Sequence, residues 1–425
     1  MQLYRRKKTD YDFILFIIYK IALDIIYDCY QYRLFGYYGF SYDYDFIRLI
    51  LGWVLYIISA YSIKRKKSEL SDVFVYTVLM LSIAPCIVFY EYNASCKFWM
   101  VACQVIVLVF MDFFISRPTW VVIKMPFPKV SYKNTLLRII MTCFIMAFLA
   151  YLVYCYGFPS LSEITFSNIS KIRASYNGSI MLTIIENVIC KIICPLYMLI
   201  ALKEKKYIAF CFALFVCMYS YAITGYKTFL FIPVIVVGVS FLPKLDLKKC
   251  ILIGLPLVIT IVGVLYAITE NIMLYGLVNE RVIFLPAKIK IAYFDYFSNN
   301  EYVYFSQSTI ARILGFVSNY SENIPNLIGR VYFNRPEMWT NTGFMADAYS
   351  NLGYFGMITI SLIVVFIIRI AEQQMKSLSF RMKKSMESLF LIYFISLNDG
   401  GAISIIFSGG MIVIIIIMIT ISFSE

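Results

Sequence analysis

The chain contains no histidine. That absence removes imidazole acid–base catalysis, imidazole metal ligands and every nucleophile–histidine pair, and leaves Asp, Glu, Lys, Tyr or water to move any proton. Charge is scarce as well: 15% of the 425 residues are Asp, Glu, Lys or Arg, against 61% hydrophobic residues and a mean hydropathy of +0.78. The eleven cysteines lie mostly inside apolar runs, where they act as small hydrophobes. No Cys-x-x-Cys or Cys/His spacing marks a metal site, so neither a metal, a cofactor nor a disulfide framework is expected. The ten-residue alternating segments of a membrane barrel are missing. No low-complexity linker or internal repeat interrupts the chain. A cleavable leader is not expected: the run after Arg5, Arg6, Lys7 and Lys8 contains Lys20 and Asp24 and lacks a small-residue cleavage site.

What the chain does have is apolar runs, at 11–29, 46–63, 73–90, 98–115, 136–157, 181–202, 207–225, 228–243, 250–268, 344–369, 387–398 and 408–424. A helix of about 20 residues crosses the hydrocarbon layer, so the expected class is an all-α polytopic membrane protein of about twelve transmembrane helices. The pair after Ser388 is broken by Asn398-Asp399-Gly400-Gly401 and also reads as one re-entrant element. With the N-terminus in the cytoplasm, the inner connections carry 22 Lys and Arg and the opposite short ones five (Arg33, Lys97, Lys171, Arg173, Lys227). Positive charge accumulates on the cytoplasmic side, which puts both termini inside. The net charge of +13 therefore reads as topology, and a nucleic-acid partner is not expected. A single membrane domain, 1–425, is the simplest organisation.

The connection 270–342 stands apart. It faces outside on this topology and holds six Lys/Arg, six Asp/Glu and fourteen aromatics. Amphipathic stretches at Val282–Leu285 and Ile289–Phe297 predict short helices against the membrane surface, with Tyr and Phe toward lipid or bundle. Arg281, Lys288, Lys290, Arg312, Arg330 and Arg335 lie here, with Lys171, Arg173 and Lys227 in other outer positions. Guanidinium groups bind phosphate bidentately, so the set suits a phosphate or diphosphate; the competing reading is pairing with loop acids and lipid headgroups. Asp347 and Asn351 share one helix face at the start of the tenth run, either as the wall of a site for hydroxyl groups or as a helix-start acid paired with an Arg. Asp43 and Asp45 form a short acidic pair, Lys20 and Asp24 an intrahelical ion pair, and Asp112, Glu186 and Lys191 are expected to be buried and paired. The loop aromatics suit an interfacial belt or stacking on sugar rings.

The runs Arg281–Ala287, Tyr293-Phe294-Asp295-Tyr296-Phe297 and Tyr304-Phe305-Ser306-Gln307-Ser308, with Ile328-Gly329 and Asn341-Thr342-Gly343-Phe344 through Asp347-Ala348-Tyr349 to Asn351-Leu352-Gly353, resemble Wzy-type oligosaccharide repeat-unit polymerases of O-antigen or capsular polysaccharide. The Thr224-Gly225-Tyr226-Lys227 turn is similar to that family's Gly-x-Arg turn, with Lys in place of Arg. The matching segments cover about a third of the chain. The related lipid-linked-polysaccharide ligases depend on an outer-loop His, which this chain lacks. The resemblance implies a GT-C-like membrane fold in the bacterial inner membrane and a metal-independent transfer of a glycan from undecaprenyl diphosphate to a new lipid-linked repeat unit. Its implied partners are undecaprenyl-diphosphate-linked oligosaccharides, the bilayer and, as a candidate, a chain-length regulator. It also implies roles: Asp347, Arg312 and Arg330 catalytic; Arg281, Lys227 and Arg173 on the diphosphate; Asn341 and Asn351 on the glycan; Asp295 and Glu280 as reserve acids. The rival readings are a flippase for the same lipid-linked unit, a glycosyltransferase using a lipid-monophosphate sugar at Asp43 and Asp45, and a secondary transporter.

Overall fold

A computed structural model of the protein describes residues 2–63, 69–117, 130–131, 135–158, 172, 176–242 and 245–422. The described residues are all-helical apart from a two-residue pairing of Val130–Ser131 with Ile421–Ser422. The longer helices are α1 (Gln2–Ile26), α2 (Phe46–Ile63), α3 (Leu70–Tyr92), α4 (Phe98–Ser116), α5 (Thr135–Tyr156), α6 (Ile180–Lys203), α7 (Tyr207–Thr224), α8 (Thr228–Ser240), α9 (Leu247–Thr269), α10 (Leu285–Asn299), α11 (Ile324–Phe333), α12 (Phe344–Met375), α13 (Phe380–Asp399) and α14 (Met411–Thr420). Eight of them, α2–α7, α9 and α12, are long and apolar enough to cross a membrane. Of the other expected spans, α1 and α13 carry too many charges, while α8 and α14 have 13 and 10 residues.

The exterior of α1 shows which solvent the fold is built for. Ile14, Ile18, Ile21 and Ile25 form an exposed stripe, while Phe16, Tyr19, Lys20, Leu23 and Ile26 are buried. A charge inside and isoleucine outside is the arrangement expected when lipid is the solvent.

Contacts divide the chain into two compact units. The first comprises Met1–Trp120, Asp246–Arg369 and Phe394–Ala402. Its centre is α3, whose apolar stretch is entirely buried, whereas that of α9 is 28% buried. Lys20 binds Asp24 at 2.5 Å and Glu91 at 2.6 Å and lies over the Trp53 ring, so the expected intrahelical pair exists and extends to a third helix. The second unit comprises Val121–Leu245, Ile370–Tyr393 and Ile403–Glu425. There Leu378, Met382, Ile417 and Ile421 pack around Ile200. Glu186 is buried and accepts from Tyr176 Oη at 2.5 Å, and Lys191 lies over the Phe229 ring.

Prolines set the local geometry of several helices. Pro85, Pro195, Pro256 and Pro286 each follow a widened π segment: Leu79–Ile83, Ile189–Ile193, Cys250–Gly254 and Gly276–Phe284. Proline lacks the N–H that would close the turn, and its ring pushes away the carbonyl four residues back. A wide turn before it absorbs both effects without ending the helix.

Candidate functional site

Within the first unit, the 270–342 connection folds into helices rather than a spacer: Ile272–Tyr275, the π segment, α10, Thr309–Ile313 and α11. Helix α10 forms where the amphipathic pattern predicts a short helix, with Tyr293, Phe294 and Phe297 turned into the protein and a lysine turned in with them. Pro286, Ala287, Ile289, Lys290, Ile291, Ala292, Tyr293, Phe294 and Phe297 are all buried. Two of its polar side chains find partners inward: Lys288 Nζ donates to Tyr38 O, and Tyr293 Oη donates to Thr340 O at 3.0 Å. Aromatics of the connection pack against those of α12 and α4. The buried Tyr349 ring meets Phe294 at 4.9 Å, Tyr354 at 5.3 Å, Trp99 at 6.0 Å and Tyr302 at 6.1 Å.

The feature that organises the region is a break in α12 at Leu352 (φ −144°, ψ 22°) and Gly353 (φ 61°, ψ −147°). A Cβ at Gly353 would stand 2.7 Å from Tyr302 Oη, so glycine serves both the left-handed φ and the close approach. The break frees two carbonyls that the helix would otherwise use. Val303 N donates to Ser350 O at 2.9 Å and Tyr304 N to Asn351 O at 3.2 Å. Asn351 completes the clamp: Oδ1 accepts from Phe305 N at 2.7 Å, and Nδ2 donates to Asp347 O at 2.7 Å. Its amide is thus engaged at both ends by backbone. Tyr304 and Phe305 sit at φ 54° and 57°, which costs of order 1–3 kcal/mol per residue and persists only where the surroundings over-determine it.

Beyond the clamp, a polar cavity of about 440 Å³ is lined by Ser306, Gln307, Arg312, Ser318, Tyr320 and Asn323, among others. Gln307 ties its walls, donating to Ser318 Oγ and Glu322 O and accepting from Ile324 N. Arg312 donates to Asn323 Oδ1 at 2.9 Å. Arg330 pairs with Glu322, which also lines the cavity. The structure therefore gathers Arg312 and Arg330 around one patch. Arg281 is exposed on the π segment beside Glu280, whose carboxyl burial pushes up to about 7, with the Arg281 charge opposing. Arg335 lies over the Tyr38 ring and donates to its hydroxyl at 3.0 Å.

The remaining expected residues are placed as follows. Asp347 is half-buried, its backbone N donating to Gly343 O at 3.0 Å. Its carboxylate faces the Gly401 backbone so closely that a Cβ there would lie 2.5 Å from Oδ2. Asn341 is exposed. Lys227 is exposed in the second unit, two residues after Gly225, which caps α7 at φ 67°. Arg173 and Lys171 lie outside the described residues. Asp295 accepts from Tyr332 Oη at 2.7 Å. The acidic pair is committed to local structure: Asp43 accepts from Ser41 Oγ and Ala94 N, which hold its carboxyl below the usual range, and Asp45 accepts from Ile47 N at the start of α2. Among the described residues no group of His, Cys, Asp or Glu is arranged to hold a metal ion.

Two residues read from the sequence only as members of the outer anion-binding cation set are instead turned inward. Lys288 sits between the Phe40 and Phe333 rings, and burial pushes its amine down to about 8. Lys290 is 1% exposed. The available signal was their place inside an aromatic run, where a surface helix and a buried one look alike. No protein-family model, curated protein or solved structure matches this chain.

Proposed function

We propose that the protein polymerises undecaprenyl-diphosphate-linked oligosaccharide repeat units on the outer face of a bacterial inner membrane. The observation that carries the reading is the clamped connection. A break in a long apolar helix fixes Val303–Phe305, and the segment after it opens a polar cavity bearing Arg312 and, through Glu322, Arg330. On this reading the chain has twelve spans in a GT-C-like arrangement, with both termini cytoplasmic and 270–342 outside. An apolar groove lined by Phe98, Trp99, Ala102, Cys103, Tyr354 and Met357 begins just past the break and suits an isoprenoid tail.

In the proposed reaction an acceptor hydroxyl oxygen bonds to C1 of the donor sugar while the bond from C1 to the diphosphate oxygen breaks. The hydroxyl proton passes to Asp347. The lipid diphosphate leaves carrying negative charge, which Arg312 and Arg330 offset, with Arg281 as a further cation. Preorganised cations aimed at developing charge are the strongest single contribution such a site makes, and the membrane supplies proximity between two lipid-anchored substrates. Asn351 then serves by positioning the loop, and Asn341 by contacting glycan.

The buried Lys20–Asp24–Glu91 cluster favours a second reading, a flippase for the same unit, because intramembrane charges often mark transport paths. A surface-polysaccharide gel from a strain lacking the protein separates the two. A single repeat unit exported without a ladder supports polymerisation; lipid-linked units retained inside support the flippase; an unchanged ladder removes both.

A further inference from the structure

We propose that Lys290, Asp347 and Asp399 form a subsite for the hydroxyl groups of a carbohydrate, the acceptor end of the site; this rests on the glycosyl-transfer reading above. Three segments of the first unit converge there. Helix α10 brings Lys290, the start of α12 brings Gly343 and Asp347, and the end of α13 brings Asn398, Asp399 and Gly401. Two glycines make the approach possible. A Cβ at Gly343 would lie 2.5 Å from Asn398 O and 2.8 Å from Lys290 Cε, and one at Gly401 would lie 2.5 Å from Asp347 Oδ2. The Asn398–Gly401 break thus meets the turn that carries Asp347, with the lysine stem alongside.

The polar inventory says what the place suits. Lys290 Nζ is buried with no hydrogen-bond partner among the described residues, and so are Asn398 Oδ1 and Thr342 Oγ1. Asn398 Nδ2 is used by Phe394 O at 2.8 Å, so its free atom is an acceptor. Buried polar groups left unpaired in a native fold call for a partner. Asp347 is half-buried and Asp399 exposed, which gives the cluster an opening. One ammonium against two carboxylates disfavours an anion, and the ammonium disfavours a metal cation. A neutral ligand with several groups that both donate and accept satisfies all of them, which describes vicinal hydroxyls. The other titratable groups facing Lys290 and Asp347 are the Cys86 thiol and Tyr293, whose hydroxyl is committed to Thr340 O. In use, Lys290 donates to one hydroxyl oxygen of the acceptor sugar while a neighbouring hydroxyl gives its proton to Asp347 as its oxygen bonds to the donor C1 and the bond to diphosphate breaks.

Lys290→Met in the full-length protein tests this. A packing role predicts a lower unfolding temperature. A ligand site predicts a higher one, because an unpaired buried amine is removed, together with lost function. With free glucose, galactose and N-acetylglucosamine as probes, the wild type should unfold at higher temperature with at least one of them, and Lys290→Met should not respond. In cells the polymer ladder should fall roughly tenfold to hundredfold. Lys290→Met that unfolds earlier and keeps its ladder overturns the subsite, as does a wild type indifferent to all three sugars. Should Lys290→Met not accumulate, Asp399→Asn decides: loss of both the sugar response and the ladder supports the subsite, and retention of either overturns it. Failure of the glycosyl-transfer reading shows separately, as an unchanged ladder in a strain lacking the protein.

Discussion

Glu280 and Lys20 show how this fold handles charge one residue at a time. The Glu280 carboxyl is buried in the π segment and held up to about 7 from an ordinary 4.5. The folded state therefore keeps a proton that the unfolded chain releases, so this group's contribution is fully present below pH 4.5 and is lost as pH rises toward 7. Glu280→Gln should flatten the unfolding temperature between those values and raise it at pH 8; an unchanged slope would contradict the assignment. Lys20 serves two carboxylates, with Glu91 Oε1 left unpaired. Removing the cation strands both acids, so Lys20→Met should destabilise by about 3–5 kcal/mol, read from unfolding in detergent, whereas a Lys20→Met, Glu91→Gln double variant should recover part of it. The sequence spacing gives Lys20 with Asp24, since both stand on one helix face. Glu91 lies 71 residues away, and only packing brings it in.

At the scale of elements, the apolar runs are legible because lipid demands about 20 apolar residues per crossing, and eight of the expected runs appear as helices of that kind. Helix α10 is legible as a helix, but the burial of its lysine is not. Lysines among isoleucine and phenylalanine look like a surface helix, yet Lys290 is buried and Lys288 half-buried. The break in α12 was written in the sequence only as a glycine after Asn351. What makes it a break is the docking of Val303–Phe305 onto freed carbonyls, a contact across some fifty residues. Gly353→Ala must take φ 61° against Tyr302, so it should cost about 1–3 kcal/mol. Asn351→Ala leaves the Phe305 N–H unpaired, at a cost of about 1–3 kcal/mol. Both should expose the 303–305 segment to limited proteolysis; protection equal to wild type would mean the clamp is not what holds it.

For the molecule as a whole, the charge asymmetry of the sequence is the ground for the proposed sidedness, and the 270–342 connection is the proposed place of the chemistry. A protease site inserted at Val317, which is 89% exposed, should be cut by protease added outside intact cells, and one inserted at Ser377 should not. Cutting at Ser377 alone would invert the topology and the proposed site with it. The arrangement of the cations was only partly readable. Arg312 and Arg330 are 18 residues apart and bind the adjacent residues Asn323 and Glu322, which Gln307 ties to the cavity wall. The Lys290 cluster needed three distant segments in one place.

The most direct test of polymerisation is the surface-polysaccharide gel of a strain lacking the protein, complemented with wild type or with Arg312→Ala, Arg330→Ala. Wild type should restore a ladder, and the double variant at equal membrane level should give a single repeat unit without one. A full ladder from the double variant would contradict the diphosphate role of these arginines, and a full ladder without the protein would contradict the function itself.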